Sequence, residues 1–256
     1  MSSAIQRLEK IEVASAYQLV AEAIEREIVA GRMRPGDGIG TEAALCNQFG
    51  VNRSTVREAI RVLEQSGLVR RGTDRRLYAS LPRYSGLSSR VSRALILHEV
   101  TFRELCTTAH VLEVASAEQA AENATLESIE ALERNQSEAQ AAVGDPARLS
   151  EIDSEFHKLL ARATRNRVLE LAREPAGLLF FPTTELICRR VPEGAGRMVE
   201  AHRHIIDAVT AKEPKAAGLW MSRHVADWRK GFERAGRDLD EPVERVFARN
   251  ALRPPC

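Results

Sequence analysis

Apolar positions recur at helical spacing along most of the chain. In residues 16–30, Leu19, Val20, Ala23, Ile24 and Ile28 share one stripe, with Glu27 at its edge and Gly31 following as a helix stop. Residues 34–38, Arg-Pro-Gly-Asp-Gly, read as a turn. Thr41 is placed to cap a short helix over 42–49, with Glu42 in its first turn and Gly50 after it. Asn52 is placed to cap a third helix over 53–66, turning Val56, Ile60 and Leu63 inward, with Gly67 as its stop. Residues 68–71 and 75–79 read as two short strands around a turn at 72–74.

Helix, short helix, tight turn, helix and hairpin is the order of a winged helix-turn-helix with a small β-hairpin wing, predicted for residues 1–80. Pro82, Gly86 and the serines at 85, 88, 89 and 92 interrupt the periodicity, so residues 81–92 are read as a linker. Beyond it the pattern is helical: 101–121, 125–142, 145–164, 166–190 with breaks at Pro175 and Pro182, 193–211 and 214–235. Asp145-Pro146 supplies a cap followed by proline at the first helical position. No period-2 alternation is visible there, which predicts an all-α bundle over 93–236. Residues 237–256 are read as a tail, with a frayed Arg-Pro-Pro-Cys end. The fold class is thus mainly α, in two domains.

Composition narrows the class. The 256 residues are 44% hydrophobic, enough for packed cores, and only 5% aromatic, which favours aliphatic helix packing. No apolar run approaches the ~18–20 residues that span a bilayer, and residues 1–12 carry charges without the apolar core of a signal peptide. Cys46, Cys106, Cys188 and Cys256 are scattered, as expected of free thiols in a reducing cytoplasm. A net charge of +1 hides an uneven distribution: residues 51–83 hold eight arginines against three acidic residues, a local +5. That excess is the electrostatic footprint of a nucleic-acid-binding module.

Reading DNA requires polar side chains at the start of the third helix, where they enter the major groove while the helix N-terminus approaches phosphate. Asn52, Arg53, Ser54, Thr55 and Arg57 occupy that place. Arg53 and Arg57 are i and i+4, on one face, away from the apolar stripe. Arginine pairs bidentately with guanine or phosphate, and serine or threonine bonds either. The bland alternative is an ordinary solvated helix.

The second domain holds all six histidines. Asp153 and His157 are four apart on a face shared with Leu149, Phe156 and Leu160. His202 precedes Ile205, Ile206 and Val209 at helical spacing, whereas His204 points elsewhere and is expected to be exposed. His224 sits four residues from both Trp220 and Trp228. One carboxylate and three imidazoles on three helices could converge on a divalent cation such as zinc or nickel. Equally, each histidine could be a separate hydrogen-bonded core residue.

The segments "IVAGRMRPGDGIGTEAAL" and "FGVNRSTVREAIRVLEQSGLV" resemble the GntR-type winged helix of bacterial transcription regulators. The resemblance implies that Arg53 and Arg57, with the small polar residues around them, contact operator DNA. The chain differs at Ala43, where an arginine is usual, and in a wing turn with only Gly72. "EIDSEFHKLLARATRN", "EAHRHIIDAV" and "MSRHV" resemble the helical FCD effector domain of the FadR-like subgroup. That resemblance implies a metal held by Asp153, His157, His202 and His224, with a small organic acid bound above it. Many relatives place an effector-binding arginine four residues before the glutamate matching Glu113. Here it is Ala109, which leaves three readings open: a smaller ligand, a less acidic one, or one held by another basic residue such as Arg189, Arg190, Arg197 or Arg203.

The expectation is a cytoplasmic, homodimeric, ligand-responsive regulator of double-stranded operator DNA, a repressor, without catalytic activity or membrane attachment. The rivals are a metal sensor whose ion is itself the effector, and a metal-dependent enzyme carrying a DNA-binding module. No GxSxG, Walker loop or GxGxxG accompanies the histidines.

Overall fold

The computed structural model describes residues 15–82 and 84–243; the amino-terminal segment read as lacking a signal peptide and the final Arg-Pro-Pro-Cys lie outside them. The chain divides into two compact units between positions 83 and 84.

In the first unit, α1 (Ala16–Val29) buries Val20, Ala21, Ile24 and Ile28. Leu19, expected inside, is 52% exposed, because Ala21 occupies the inward edge of the stripe instead. β1 (Gly38–Gly40) forms where the sequence reads as the end of a turn. Its backbone pairs with β3 (Leu77–Ala79), which also pairs with β2 (Val69–Arg71), giving an antiparallel sheet in the order β1-β3-β2. Two glycines carry no strand signal, so only that pairing makes the segment extended.

The helices between follow their caps. α2 (Glu42–Phe49) begins where the Thr41 hydroxyl accepts the Ala44 N–H and ends at Gly50 in the left-handed conformation. α3 (Arg53–Ser66) begins where Asn52 Oδ1 accepts the Thr55 N–H at 2.8 Å and ends at Gly67, also left-handed. Val56, Ala59, Ile60 and Leu63 of α3 pack with α1, Leu45 of α2 and the inward strand residues Val69, Leu77 and Ala79.

The second unit is helical. The segment read as a linker is largely α4 (Tyr84–Leu97). Its serines look like helix breakers in sequence. Ser88 and Ser92 are instead fully buried, and α4 packs on α8 (Arg167–Phe180), with the Ser92 hydroxyl 2.8 Å from the Pro175 carbonyl. Tertiary contact overrides local preference there. α5 (Phe102–Asn123), α6 (Leu126–Ala141), α7 (Pro146–Ala163), α9 (Thr183–Arg190), α10 (Glu193–Thr210) and α11 (Pro214–Arg234) complete the bundle. Pro175 lies within α8, whereas Pro182 separates α8 from α9.

The region read as a tail from residue 237 is docked through Val243. Leu239 and Val243 are buried in the bundle core. The Leu239 carbonyl accepts the Arg103 N–H, Val243 N–H donates to Val100, and Arg103 pairs with Asp240 at 2.6 and 2.8 Å. Two apolar side chains in a polar stretch gave too little periodicity to reveal this.

Candidate functional site

The exposed end of α3 carries the basic surface. Asn52, Arg53, Ser54 and Arg57 are exposed and Thr55 is half-buried. Asn52 Oδ1 is already committed, accepting both the Thr55 N–H and the Ser54 hydroxyl at 2.7 Å, so its amide nitrogen is the end left for other partners. Glu42, in the first turn of α2, meets Arg57 at 3.5 Å and Arg71 of β2 at 2.8 Å. Arg71 also reaches Glu64 at 2.9 Å. The wing turns at Arg75, whose φ is +64°, while Asp74 accepts the Tyr78 hydroxyl and the Arg76 N–H. Arg70 lies over the Tyr78 ring at 4.9 Å.

The other site is buried in the helical unit. Asp153 and His157 sit one turn apart on α7, His202 faces them from α10 and His224 from α11, all four buried. One ligand atom from each residue lies within 4.8 Å of every other. Asp153 Oδ1 is 3.3 Å from His202 Nε2, 3.7 Å from His157 Nε2 and 4.0 Å from His224 Nε2. Asp153 Oδ1 and both ring nitrogens of His202 have no hydrogen-bond partner. His157 Nε2 and His224 Nε2 face each other at 3.2 Å.

The electrostatics favour a cation. Burial alone would raise the Asp153 carboxyl, but His202, His157 and His224 beside it outweigh burial and hold it at about 2. Burial lowers His202 against the pull of Asp153, and lowers His224 further with help from His202 and His157. An ionised carboxylate therefore meets two imidazoles, His202 and His224, held toward their neutral form, the protonation state in which each donates a lone pair. Four donor atoms converge here, with Asp153 Oδ1 and both His202 nitrogens unpartnered, and a carboxylate with three imidazoles fits a first-row divalent ion.

A surrounding layer orients these donors. The Thr184 hydroxyl on α9 donates to Asp153 Oδ2 at 2.8 Å. Glu113 Oε2 on α5 lies 2.9 Å from His157 Nδ1, and its Oε1 accepts Arg173 Nε of α8 at 2.7 Å. Burial would raise Glu113, but Arg173 and His157 outweigh it and hold the carboxyl at about 2. Phe156 stacks on His202 at 3.7 Å and Phe181 on His157 at 4.3 Å. Gly177 leaves room for Arg173, since a Cβ there would lie 2.9 Å from its Nη2. Sequence reasoning missed Arg173 and gave Glu113 no role. The available signal was a charge at an inward position: Arg173 sits in the stripe Leu169, Ala176, Phe180, and Glu113 among Ala109, Ala117 and Ala120.

A cavity of about 220 Å³ opens beside the cluster, reaching Asp153, His224 and both tryptophans of the chain. Of the four arginines expected to serve it, only Arg197 lines it, bonded to Asp227 at 3.0 Å. Arg189 pairs with Glu185 and Arg203 with Glu133 and Asp207, while Arg190 is exposed. Arg223, not foreseen, also lines the cavity. His204 is half-buried and stacks on Trp220 at 3.8 Å, where exposure was expected. The remaining histidines, His98 and His110, are exposed.

Two family models match the chain: "Bacterial regulatory proteins, gntR family" over residues 16–78 and "FCD domain" over residues 104–227. The chain is 28% identical to the HTH-type transcriptional regulator LutR of Bacillus subtilis (strain 168), over 77% of this chain and 92% of that one. It is 26% identical to the Glc operon transcriptional activator of Escherichia coli (strain K12), over 84% and 88%. It is also 26% identical to the HTH-type transcriptional repressor NanR of Cronobacter sakazakii, over 81% and 82%. The solved structure of a Streptococcus agalactiae GntR protein shares the fold, with a TM-score of 0.59 at 24% identity, covering 84% of this chain and 99% of that one. The two matched segments account for more than half of the chain and stand in this order in one polypeptide: the protein belongs to the GntR family of DNA-binding transcription regulators and carries an FCD domain behind its winged helix.

Proposed function

We propose that this regulator is a cytoplasmic, homodimeric repressor whose helical unit binds a divalent metal, zinc or nickel, and a small organic acid that releases it from operator DNA. In the winged helix, Arg53 and Arg57 contact the duplex, with Asn52, Ser54 and Thr55 making the shorter polar contacts at the same helix start. Two such modules in a dimer read paired half-sites. No helix among the described residues is long and apolar enough to cross a membrane.

In the helical unit, Asp153, His157, His202 and His224 hold the ion. When bound, it supplies positive charge inside the bundle, offsetting the desolvation of an acid. The observation that carries this reading is the four-donor cluster itself, with its orphaned lone pairs and a cavity reaching two of its members. The ligand must favour one arrangement of the dimer over the other, because only differential affinity shifts an equilibrium. An enzymatic role is disfavoured by Glu113: both of its oxygens are taken, by His157 and Arg173, so it is not a free general base.

The test is operator affinity measured with metal alone, carboxylate alone and both. Release only with both supports the proposal, with a coupling of ~1–3 kcal/mol. A change with metal alone identifies a metal sensor, and unchanged affinity across a panel of small carboxylates refutes an acid effector.

A further inference from the structure

We propose that the effector carries a second anionic group and that Arg223, at the rim of the cavity, receives it, so that the ligand class is a dicarboxylate of about four to six carbons. The inference rests on the reading that one carboxylate lies at the metal cluster.

The charges around the cavity are unevenly matched. Arg197 is neutralised in place by Asp227, with Nε 3.0 and 3.2 Å from its two carboxylate oxygens. Arg223 has no such partner: no carboxylate lies within 4.0 Å of it among the described residues. Its guanidinium lies 4.9 Å from the centroid of Trp220, whose ring also stacks on His204. A guanidinium resting on an indole that is itself held loses less freedom on binding, and its fork suits a carboxylate bidentately.

The positions of Trp220 and His224 on α11 give the length scale. Trp220 and His224 are four residues apart, one helical turn, or roughly 6 Å along the axis. Both line the cavity, with Arg223 over the first and the metal cluster at the second. A chain of about four to six carbons spans such a gap. Between the ends, Met198, Ile187 and the two indoles offer apolar contact to its methylenes. Glu200, the remaining wall carboxylate, is exposed to solvent and would favour an amine.

Both tryptophans of the chain line this cavity, so intrinsic fluorescence reports its occupancy without any DNA readout. The zinc-loaded full chain is titrated with succinate, glutarate and adipate, with butyrate and hexanoate, and with 6-aminohexanoate. The expected result is dicarboxylate binding about fivefold to tenfold tighter than that of the matched monocarboxylate. Arg223→Gln should abolish that margin while leaving zinc content and monocarboxylate affinity unchanged. Equal affinity for mono- and dicarboxylates, a margin that survives Arg223→Gln, or tightest binding by 6-aminohexanoate overturns the assignment while leaving the metal–carboxylate reading intact. Binding by none of the six overturns both.

Discussion

His157 Nδ1 lies 2.9 Å from Glu113 Oε2, and this contact decides which imidazole nitrogen faces the cluster. With Nδ1 turned to a carboxylate, Nε2 is the atom presented to Asp153 and His224. Arg173 holds the same glutamate from the other side, so α5, α7 and α8 together fix one ring. Partners of this kind set tautomer, orientation and ligand basicity.

Glu113→Gln is therefore expected to weaken metal binding by about 10- to 100-fold with the four ligands intact. Competition against a chromophoric chelator measures this directly. Arg173→Met leaves a buried carboxylate without its cation and should cost about 3–5 kcal/mol of stability, read from urea unfolding. A Glu113→Gln/Arg173→Met double variant that recovers most of that loss would assign the cost to the stranded charge.

Elemental analysis should find about one zinc or nickel ion per chain in the parent and none in His157→Ala/His224→Ala. Chelation should lower the parent's Tm and leave the variant's unchanged, because an ion that binds only the folded state stabilises it by mass action. Parent protein without metal after ions are added back would reduce the four residues to buried polar core.

The metal-free protein should lose stability on acidification in two stages. His202 and His224 titrate below 6.5 in the fold, so the unfolded chain takes up protons first and stability falls as pH drops through that value. Asp153 and Glu113 titrate at about 2 in the fold. Their contribution is whole above the ordinary carboxylate range and is lost as pH falls from there toward 2. Urea unfolding at a series of pH values checks both. A flat profile between pH 7 and 5 would contradict the lowered imidazoles.

Arg53→Ala and Arg57→Ala should each weaken operator binding. A variant that relaxes base preference by about 1–3 kcal/mol has lost a base contact, whereas one that weakens all sequences and lowers the salt slope by about 1 has lost a phosphate. Arg71→Ala should also weaken binding, because Glu42 would then be left to Arg57 alone. Anisotropy titrations across salt concentrations distinguish these outcomes.

Leu239→Ala should destabilise the helical unit by about 2–5 kcal/mol, as expected for a buried leucine. An effect below about 0.5 kcal/mol, the usual range for surface positions, would mean that residues 237–243 do not belong to the bundle.

What the sequence determined by itself was local. Thr41, Asn52, Gly50 and Gly67 fix α2 and α3 through groups within a few residues, so the helix-turn-helix was legible from chemistry along the chain. The shared face of Asp153 and His157 follows from helical period alone. The tertiary structure decided whatever depends on elements far apart in the chain. It brought His202 and His224 to that face, paired Glu113 with Arg173 sixty residues away, and laid Ser88 and Ser92 of α4 against α8. It also drew Gly38–Gly40 into the sheet and Leu239 into the core. Spacing gives each side chain a direction on its own helix, but packing between helices decides which directions meet.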